Sequence, residues 1–309
     1  MSDSPIRGTP RRVVVTGGDS GYFPLIDELC ASVRAFRDAP SLGLVVMDGG
    51  LEADQKAHLV QRWGAFILDA GWGFDLPERR IRGREHLKVL TGRTFLDQHL
   101  PDAELILWID GDAWVQDPSA LDLMFRGAEL GRVAVVSQTS RYARLAMSLK
   151  WGPMGWAQVR SQLYKNARRA GMGEALARTI GDKPTFNAGV FALARDAPHW
   201  ETWRRRLGQA LKKGRVFTSD QMALGVIVHA DGLPAELMPE TCNYMGPMWT
   251  CDDAGETLVE RYLPNAPVGI VHMAGYDSMR RGLDVTAPIQ TLDGRTIERS
   301  LRRPAWVKG

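Results

Sequence analysis

An α/β fold with a mostly parallel central sheet is what this sequence predicts, on three observations. Short apolar runs recur at residues 12–16, 42–47, 65–68, 104–109 and 133–136. Stretches of helical periodicity separate them. Clusters of Gly and Asp follow the carboxyl ends of several of these runs. Strands that alternate with helices in this way form βαβ units, whose strands lie parallel.

The elements can be justified in order. Residues 1–10 read as a flexible tail. Arg12-Val13-Val14-Val15-Thr16 is a first strand and runs into Gly17-Gly18-Asp19-Ser20-Gly21-Tyr22. Residues 23–37 carry Leu25, Leu29, Val33 and Phe36 on one helical face. A second strand, Leu42 to Met47, ends at Asp48-Gly49-Gly50. The helix over 52–63 has Glu52 and Asp54 near its start, where carboxylates complement the helix dipole. After a third strand at 65–68, a long helical stretch with Leu87, Leu90 and Phe95 leads to the strand that ends in Asp110-Gly111-Asp112.

Beyond residue 140 the alternation lapses. Residues 142–180 read as a helical, partly basic segment containing Trp151-Gly152-Pro153-Met154-Gly155-Trp156. Phe186 to Leu193 is a short strand opened by Asn187-Ala188-Gly189, and 198–213 is an amphipathic helix. Ser219 is placed to cap a helix that begins near Asp220. Residues 231–267, rich in Pro and Gly, read as loop. Gly269 to Val271 is a last short strand that leads into His272, and residues 281–309 form a basic tail.

The chain has 309 residues, 44% of them apolar and 24% charged, which suits one large globular domain or two coupled ones. A net charge of +3 permits a local basic site for phosphate but no general affinity for nucleic acid. Three cysteines, Cys30, Cys242 and Cys251, show no metal-ligand spacing, and their odd number argues against a disulfide framework. A reducing cytoplasm is the default. No run reaches the roughly 20 apolar residues of a membrane span. Among the ten tryptophans, Trp151, Trp156 and Trp249 sit amid Gly, Pro and Met and read as pocket walls. Core packing is the equal alternative for each.

The run from Glu104 to Val115 carries the chemistry. An apolar strand buried on both faces delivers Asp110 to its carboxyl end, where open α/β sheets place ligands. A carboxylate there is costly unless it is paired, hydrogen-bonded or bound to a metal. Two carboxylates separated by one glycine suit a hard divalent cation, although an Asp-Gly-Asp turn is the plainer alternative. Gly17-Gly18-Asp19-Ser20-Gly21 has neither dinucleotide-fingerprint spacing nor a Lys-Ser or Lys-Thr pair. Its backbone amides can still face a nucleotide.

Four motifs in order resemble retaining glycosyltransferases of the galactosyltransferase and glycogenin type (family 8), which have the GT-A fold. They are Trp108-Ile109-Asp110-Gly111-Asp112, Phe186-Asn187-Ala188-Gly189-Val190, Thr218-Ser219-Asp220-Gln221 and Val271-His272-Met273-Ala274-Gly275. The resemblance spans roughly residues 11 to 280. It implies a Rossmann-like, mostly parallel sheet with a nucleotide-binding half over 11–140 and a less regular donor-sugar and acceptor half over 141–280. It also implies that Asp110, Asp112 and His272 hold Mn²⁺ (or Mg²⁺) against the diphosphate of a UDP-sugar. Gly275 would let the chain approach the phosphates, and Arg84 or Lys88 would contact phosphate or donor sugar. Asn187 would orient the donor, and Asp220 with Gln221 would contact the sugar near its reacting carbon. Thr16, Asp19 and Tyr22 would cradle base and ribose.

The implied activity is transfer of a hexose from UDP-glucose or UDP-galactose to a hydroxyl of a glycan or other acceptor, with retention. The family's phosphate-binding lysine is missing, because Ser278 stands in its place and Arg280 or Arg281 must supply the charge. A mixed O/O/N donor set of two carboxylates and an imidazole suits Mn²⁺ better than Mg²⁺. As plain residues, His272 and Asn187 also read as structural, and Asp220 as a helix cap. A nucleotidyltransferase and a non-catalytic nucleotide-sugar-binding protein are the competing functions. The basic segments suggest an acidic acceptor or peripheral contact with the anionic inner face of a membrane. Binding to nucleic acid is not expected.

Overall fold

The first strand, β1 (Arg12–Gly18), pairs in parallel with β2 (Leu42–Asp48) on one side and with β4 (Leu105–Ile109) on the other, while β3 (Phe66–Leu68) extends the sheet beyond β2. These pairings belong to a computed structural model that describes residues 5–36, 41–69, 71–138, 147–151, 155 and 157–307, with the backbone alone for 147–151 and 157–160. On the far side of β4 lie β9 (Phe186–Ala194), β6 (Val133–Ser137) and β10 (Ala235–Leu237), giving the order β3-β2-β1-β4-β9-β6-β10. β9 is antiparallel to both neighbours, so one strand runs against the other six. That reversal brings the first residues of β9 to the sheet edge where β4 ends. At the same edge Gln138 N–H, just past β6, donates to Thr185 O, just before β9, at 2.7 Å.

Alternate residues of each strand serve opposite layers. Val13, Val15, Met47, Trp108 and Phe191 face α9 (His199–Leu211) and α10 (Val216–His229), which contribute Trp200, Trp203, Leu224 and Ile227. Val14, Val46, Leu107, Ile109 and Val190 face α1 (Phe23–Arg34), α2 (Ala53–Trp63) and α6 (Ser119–Glu129). Burial on both faces is why these strands lack a polar alternation in the sequence. α2 starts with a reciprocal capping box between Glu52 and Gln55 and stops at Gly64, whose φ of 61° is left-handed.

Several expectations change. Residues 5–10 are not a loose tail: Ile6 N–H donates to His99 O at 2.8 Å and Gly8 N–H to Asp102 Oδ2 at 2.7 Å. The long helical stretch before β4 breaks into α3 (Glu78–Ile81), α4 (Lys88–Gly92) and α5 (Leu96–His99), joined by 3₁₀ turns and by Gly83 at φ 69°. The segment 142–180 is only partly helical. A hairpin of β7 (Met147–Trp151) and β8 (Ala157–Ser161) precedes α7 (Gln162–Arg169) and α8 (Glu174–Gly181). Gly and Pro between the strands disfavour a continuous helix there. The placement of Trp156 and the side chains of Lys150 and Trp151 lie outside the described residues.

The chain after 230 is more ordered than its composition suggests. β13 (Ile270–His272) pairs with β5 (Ala113–Val115), and β11 (Thr250–Cys251) joins β12 (Leu258–Val259) to β14 (Ala287–Thr291) and β15 (Thr296–Arg299). Residues 281–307 are therefore not a tail. Ala287 and Ile289 alternate inward along β14, Leu301 O accepts from Trp114 Nε1 at 2.9 Å, and Arg302 forms a buried ion pair with Glu28. The many arginines hid this period-two pattern. Trp249 is a core residue, not a pocket wall, with its Nε1 donating to Tyr276 OH. All three cysteines are buried and free. Among the described residues no helix is long and apolar enough to cross a membrane.

Candidate functional site

Asp110 leaves the end of β4 and Asp112 follows in a tight turn, closed by Ala113 N–H donating to Asp110 O at 3.0 Å. The register of β5 with β13 sets His272 opposite Ala113, and Met273 N–H continues the contact by donating to Asp112 O at 3.0 Å. One donor atom each from Asp110, Asp112 and His272 thus lies within 4.8 Å of the others. His272 Nε2 is 3.3 Å from Asp112 Oδ1 and 4.0 Å from Asp110 Oδ2.

An amide relay fixes the imidazole. His272 Nδ1–H donates to Asn243 Oδ1 at 2.8 Å, and Asn243 Nδ2 donates to Asn187 Oδ1 at 3.1 Å, which also accepts from Gly189 N–H at 2.7 Å. The relay leaves Nε2 facing the two carboxylates, the orientation a metal-ligating histidine needs. Gly189 is required here. A Cβ at that position would lie 2.4 Å from His272 Cε1 and 2.7 Å from Asp110 Oδ2.

Two arginines complete the cluster. Arg93 Nη1 donates to Asp110 Oδ1 at 3.1 Å, Trp108 Nε1 donates to the same oxygen at 2.7 Å, and Arg93 Nη2 forms a short ion pair with Asp220. Arg280 Nη1 lies 3.2 Å from Asp112 Oδ2 and donates to Tyr22 OH at 2.5 Å, while Nη2 pairs with Asp277. Burial would push the His272 imidazole down, but the neighbouring Asp112 carboxylate outweighs it and holds the ring above its ordinary pKa. Asp112 moves the opposite way: burial would raise its carboxyl, and His272 with Arg280 hold it below the usual range. Burial pushes Asp220 up, and Arg93 offsets this only in part.

These groups line a cleft of about 570 Å³ at the carboxyl edge of the parallel strands. Asp19, Tyr22, Asp110, Asp112, Asn187, Asp220, Gln221, His272, Gly275 and Arg280 all border it. Thr16, Arg84 and Lys88 do not. β1 continues past Thr16 to Gly18, so Thr16 alternates inward with Val14 and is fully buried. Arg84 is exposed, and Lys88 turns away to Asp69 at 3.0 Å. Arg93, five residues beyond Lys88, is the basic residue that reaches the cluster, and sequence reasoning missed it. Its signal was a lone arginine in the run from Leu87 to Leu96, where apolar residues mark the inward face. Asn243, His86 and Phe217 were also missed. Asp220 is no cap, because α10 starts at Val216 and Ser219 Oγ donates back to Arg215 O at 2.7 Å. The segment 142–180 reaches the cleft through Gln162, Leu163 and Asn166.

The donor set fits a divalent cation. His272 Nε2 lies 3.3 Å and 4.0 Å from the two carboxylates, close to the roughly 3–4 Å between donors that bonds of about 2.1 Å to one ion require.

Sheet order, the reversed β9 and the acidic turn after β4 define a GT-A-type α/β fold. No family model matches the sequence, and no curated protein matches it. Among solved structures, the bifunctional glycosyltransferase WbbM is similar at a TM-score of 0.54 and 15% identity, over 88% of this chain and 47% of WbbM. This chain thus spans about half the length of that protein. The galactosyltransferase LgtC, solved with donor and acceptor sugar analogues, aligns at a TM-score of 0.47 and 15% identity over 85% of this chain and 87% of LgtC. The glycosyltransferase GlyE of Streptococcus pneumoniae TIGR4 aligns at a TM-score of 0.44 and 17% identity, over 76% of this chain and 47% of GlyE.

Proposed function

We propose that this chain is a divalent-cation-dependent glycosyltransferase that moves a hexose from a nucleotide-sugar to a hydroxyl of a glycan or other acceptor. We assign it to the retaining, family 8 type, with UDP-glucose or UDP-galactose as donor. The observation that carries the reading is the convergence of Asp110, Asp112 and His272 in one cleft with Arg93 and Arg280. Fold alone would not carry it.

Cleaving a sugar–diphosphate bond builds negative charge on the departing phosphate. A cation held by Asp110, Asp112 and His272 would supply Lewis-acid stabilisation of that charge. Arg280 adds a guanidinium beside Asp112, aimed at the same region. Gly17 and Gly18 put bare backbone at the cleft wall beside Asp19 and Tyr22, which suits close approach of a ribose and base. Gln221 offers an amide to the sugar but is no base. Asp220 supports retention over inversion. Its carboxylate is buried and committed to Arg93, so it is poorly placed to take a proton from an acceptor hydroxyl. A front-face route, in which the leaving phosphate helps to take that proton, needs no protein base.

The test is incubation with UDP-, GDP-, CDP- and ADP-sugars in Mn²⁺ and in excess chelator. UDP release in Mn²⁺ and its loss on chelation are expected. Undiminished turnover in chelator, or pyrophosphate from nucleoside triphosphates in place of UDP release, overturns the reading. NMR of the fresh product is expected to show the donor's α configuration. A β product would end the retaining assignment and make Asp220 the base.

A further inference from the structure

Asp112 divides its two oxygens between different partners. Oδ1 faces His272 Nε2, inside the metal cluster, and Oδ2 faces Arg280. Arg280 is held by its tip alone, through Asp112, Tyr22 and Asp277, and its buried Nε–H has no acceptor among the described residues. It rises from a five-residue helix, α11 (Asp277–Arg281), at the rim of the cleft. A fixed cation therefore already sits against one carboxylate of the triad.

Charge in the buried cluster is nearly balanced. Asp110, Asp112 and Asp220 face Arg93 and Arg280, which leaves one negative charge when His272 is neutral, because Asp277, the other partner of Arg280, is 76% exposed and its charge is screened by solvent. A divalent cation arriving alone makes this region net positive and meets repulsion from Arg280 across a partly desolvated gap. A diphosphate arriving with the cation restores the negative sign and gives the guanidinium fork its preferred partner.

We propose that Arg280 couples the two binding events: it weakens the site for bare cation and strengthens it for cation with a nucleoside diphosphate, so that metal and donor enter together. This rests on the glycosyltransferase reading and names a regulation of that same site. Coupling of this kind is reciprocal, so Mn²⁺ must tighten the diphosphate by the same factor.

Calorimetric titration of Mn²⁺, with and without UDP, into the wild-type chain, Arg280→Met and Arg280→Lys tests this. In the wild type, UDP is expected to tighten Mn²⁺ binding about tenfold or more. In Arg280→Met, bare Mn²⁺ is expected to bind about fivefold to tenfold tighter than in wild type, and the enhancement by UDP to fall about fivefold or more, leaving only the part that direct attraction between cation and diphosphate supplies. Arg280→Lys, which keeps the charge, is expected to hold the wild-type affinity for bare Mn²⁺. Unchanged or weaker bare Mn²⁺ binding in Arg280→Met, with the UDP enhancement intact, overturns the coupling and leaves Arg280 a prop for Asp112. So does Arg280→Lys behaving like Arg280→Met. If the wild type binds Mn²⁺ but no nucleoside diphosphate alters that binding, the glycosyltransferase reading itself has failed, a distinct result.

Discussion

Asp220 sits in the second turn of α10, 1% exposed, and meets Arg93, which is 3% exposed. Asp112 sits in the turn after β4, 6% exposed, and meets Arg280, whose side chain is 18% exposed. The first pair is walled in by protein. Trp203 Nε1 donates to the Asp220 carbonyl, and the Arg93 guanidinium packs 5.3 Å from the Trp108 ring while its other nitrogen holds Asp110. The second pair hangs between a turn and a short rim helix and shares its arginine with a largely exposed Asp277. The same two residue types thus make a brace in one place and an exchangeable contact in the other. Scaffold, not side-chain chemistry, decides which.

The sharpest break is at the triad. Asp110→Asn and Asp112→Asn are each expected to lower turnover by about a hundredfold or more, beyond the 10–100-fold typical of losing a metal's outer partner. Thermal melts should stay near wild type, and loss of folding in both would move these carboxylates to a structural role. Arg93→Ala comes next, because it strands the buried Asp220 carboxylate. A cost of about 3–5 kcal/mol is expected in urea unfolding, against less than about 2 kcal/mol for Arg280→Ala. Equal costs for the two would erase the contrast between brace and contact. Asn243→Ala, which frees the His272 ring, is expected to weaken Mn²⁺ binding by about tenfold with little change in stability. Wild-type affinity in that variant would show that packing alone orients the imidazole.

The first half of the fold was legible because strands buried on both faces write long apolar runs. The pairing of β4 with β9 was not, since nothing in Phe186 to Leu193 states the direction of travel. The C-terminal sheet was hidden by its arginines, although Ala287 and Ile289 carried the alternation. In the cleft, Asp110 and Asp112 were legible because carboxylates at a strand end have few structural uses, and His272 joined them only through the order of the four motifs. Arg84 and Lys88 were poor guesses for a different reason. The resemblance put the basic residue at Arg84 or Lys88, and with the helix broken between Gly83 and Leu87 neither borders the cleft, whereas Arg93 reaches Asp110.

The hydrogen bond between Gln138 and Thr185 marks a pair of neighbouring points on the cleft rim through which the chain departs and returns. Everything between them can be exchanged at two adjacent cuts, leaving all seven strands of the main sheet untouched. Such a transplant must keep the contacts that tie the segment to α10, among them that of His229 Nε2 with Pro184 O at 2.8 Å. The incoming piece must offer an apolar stripe for Met222 and Val226, which now rest against Leu163 and Ala167. Recombination at these two junctions would therefore trade one cleft wall for another while Asp110, Asp112 and His272 stay in place.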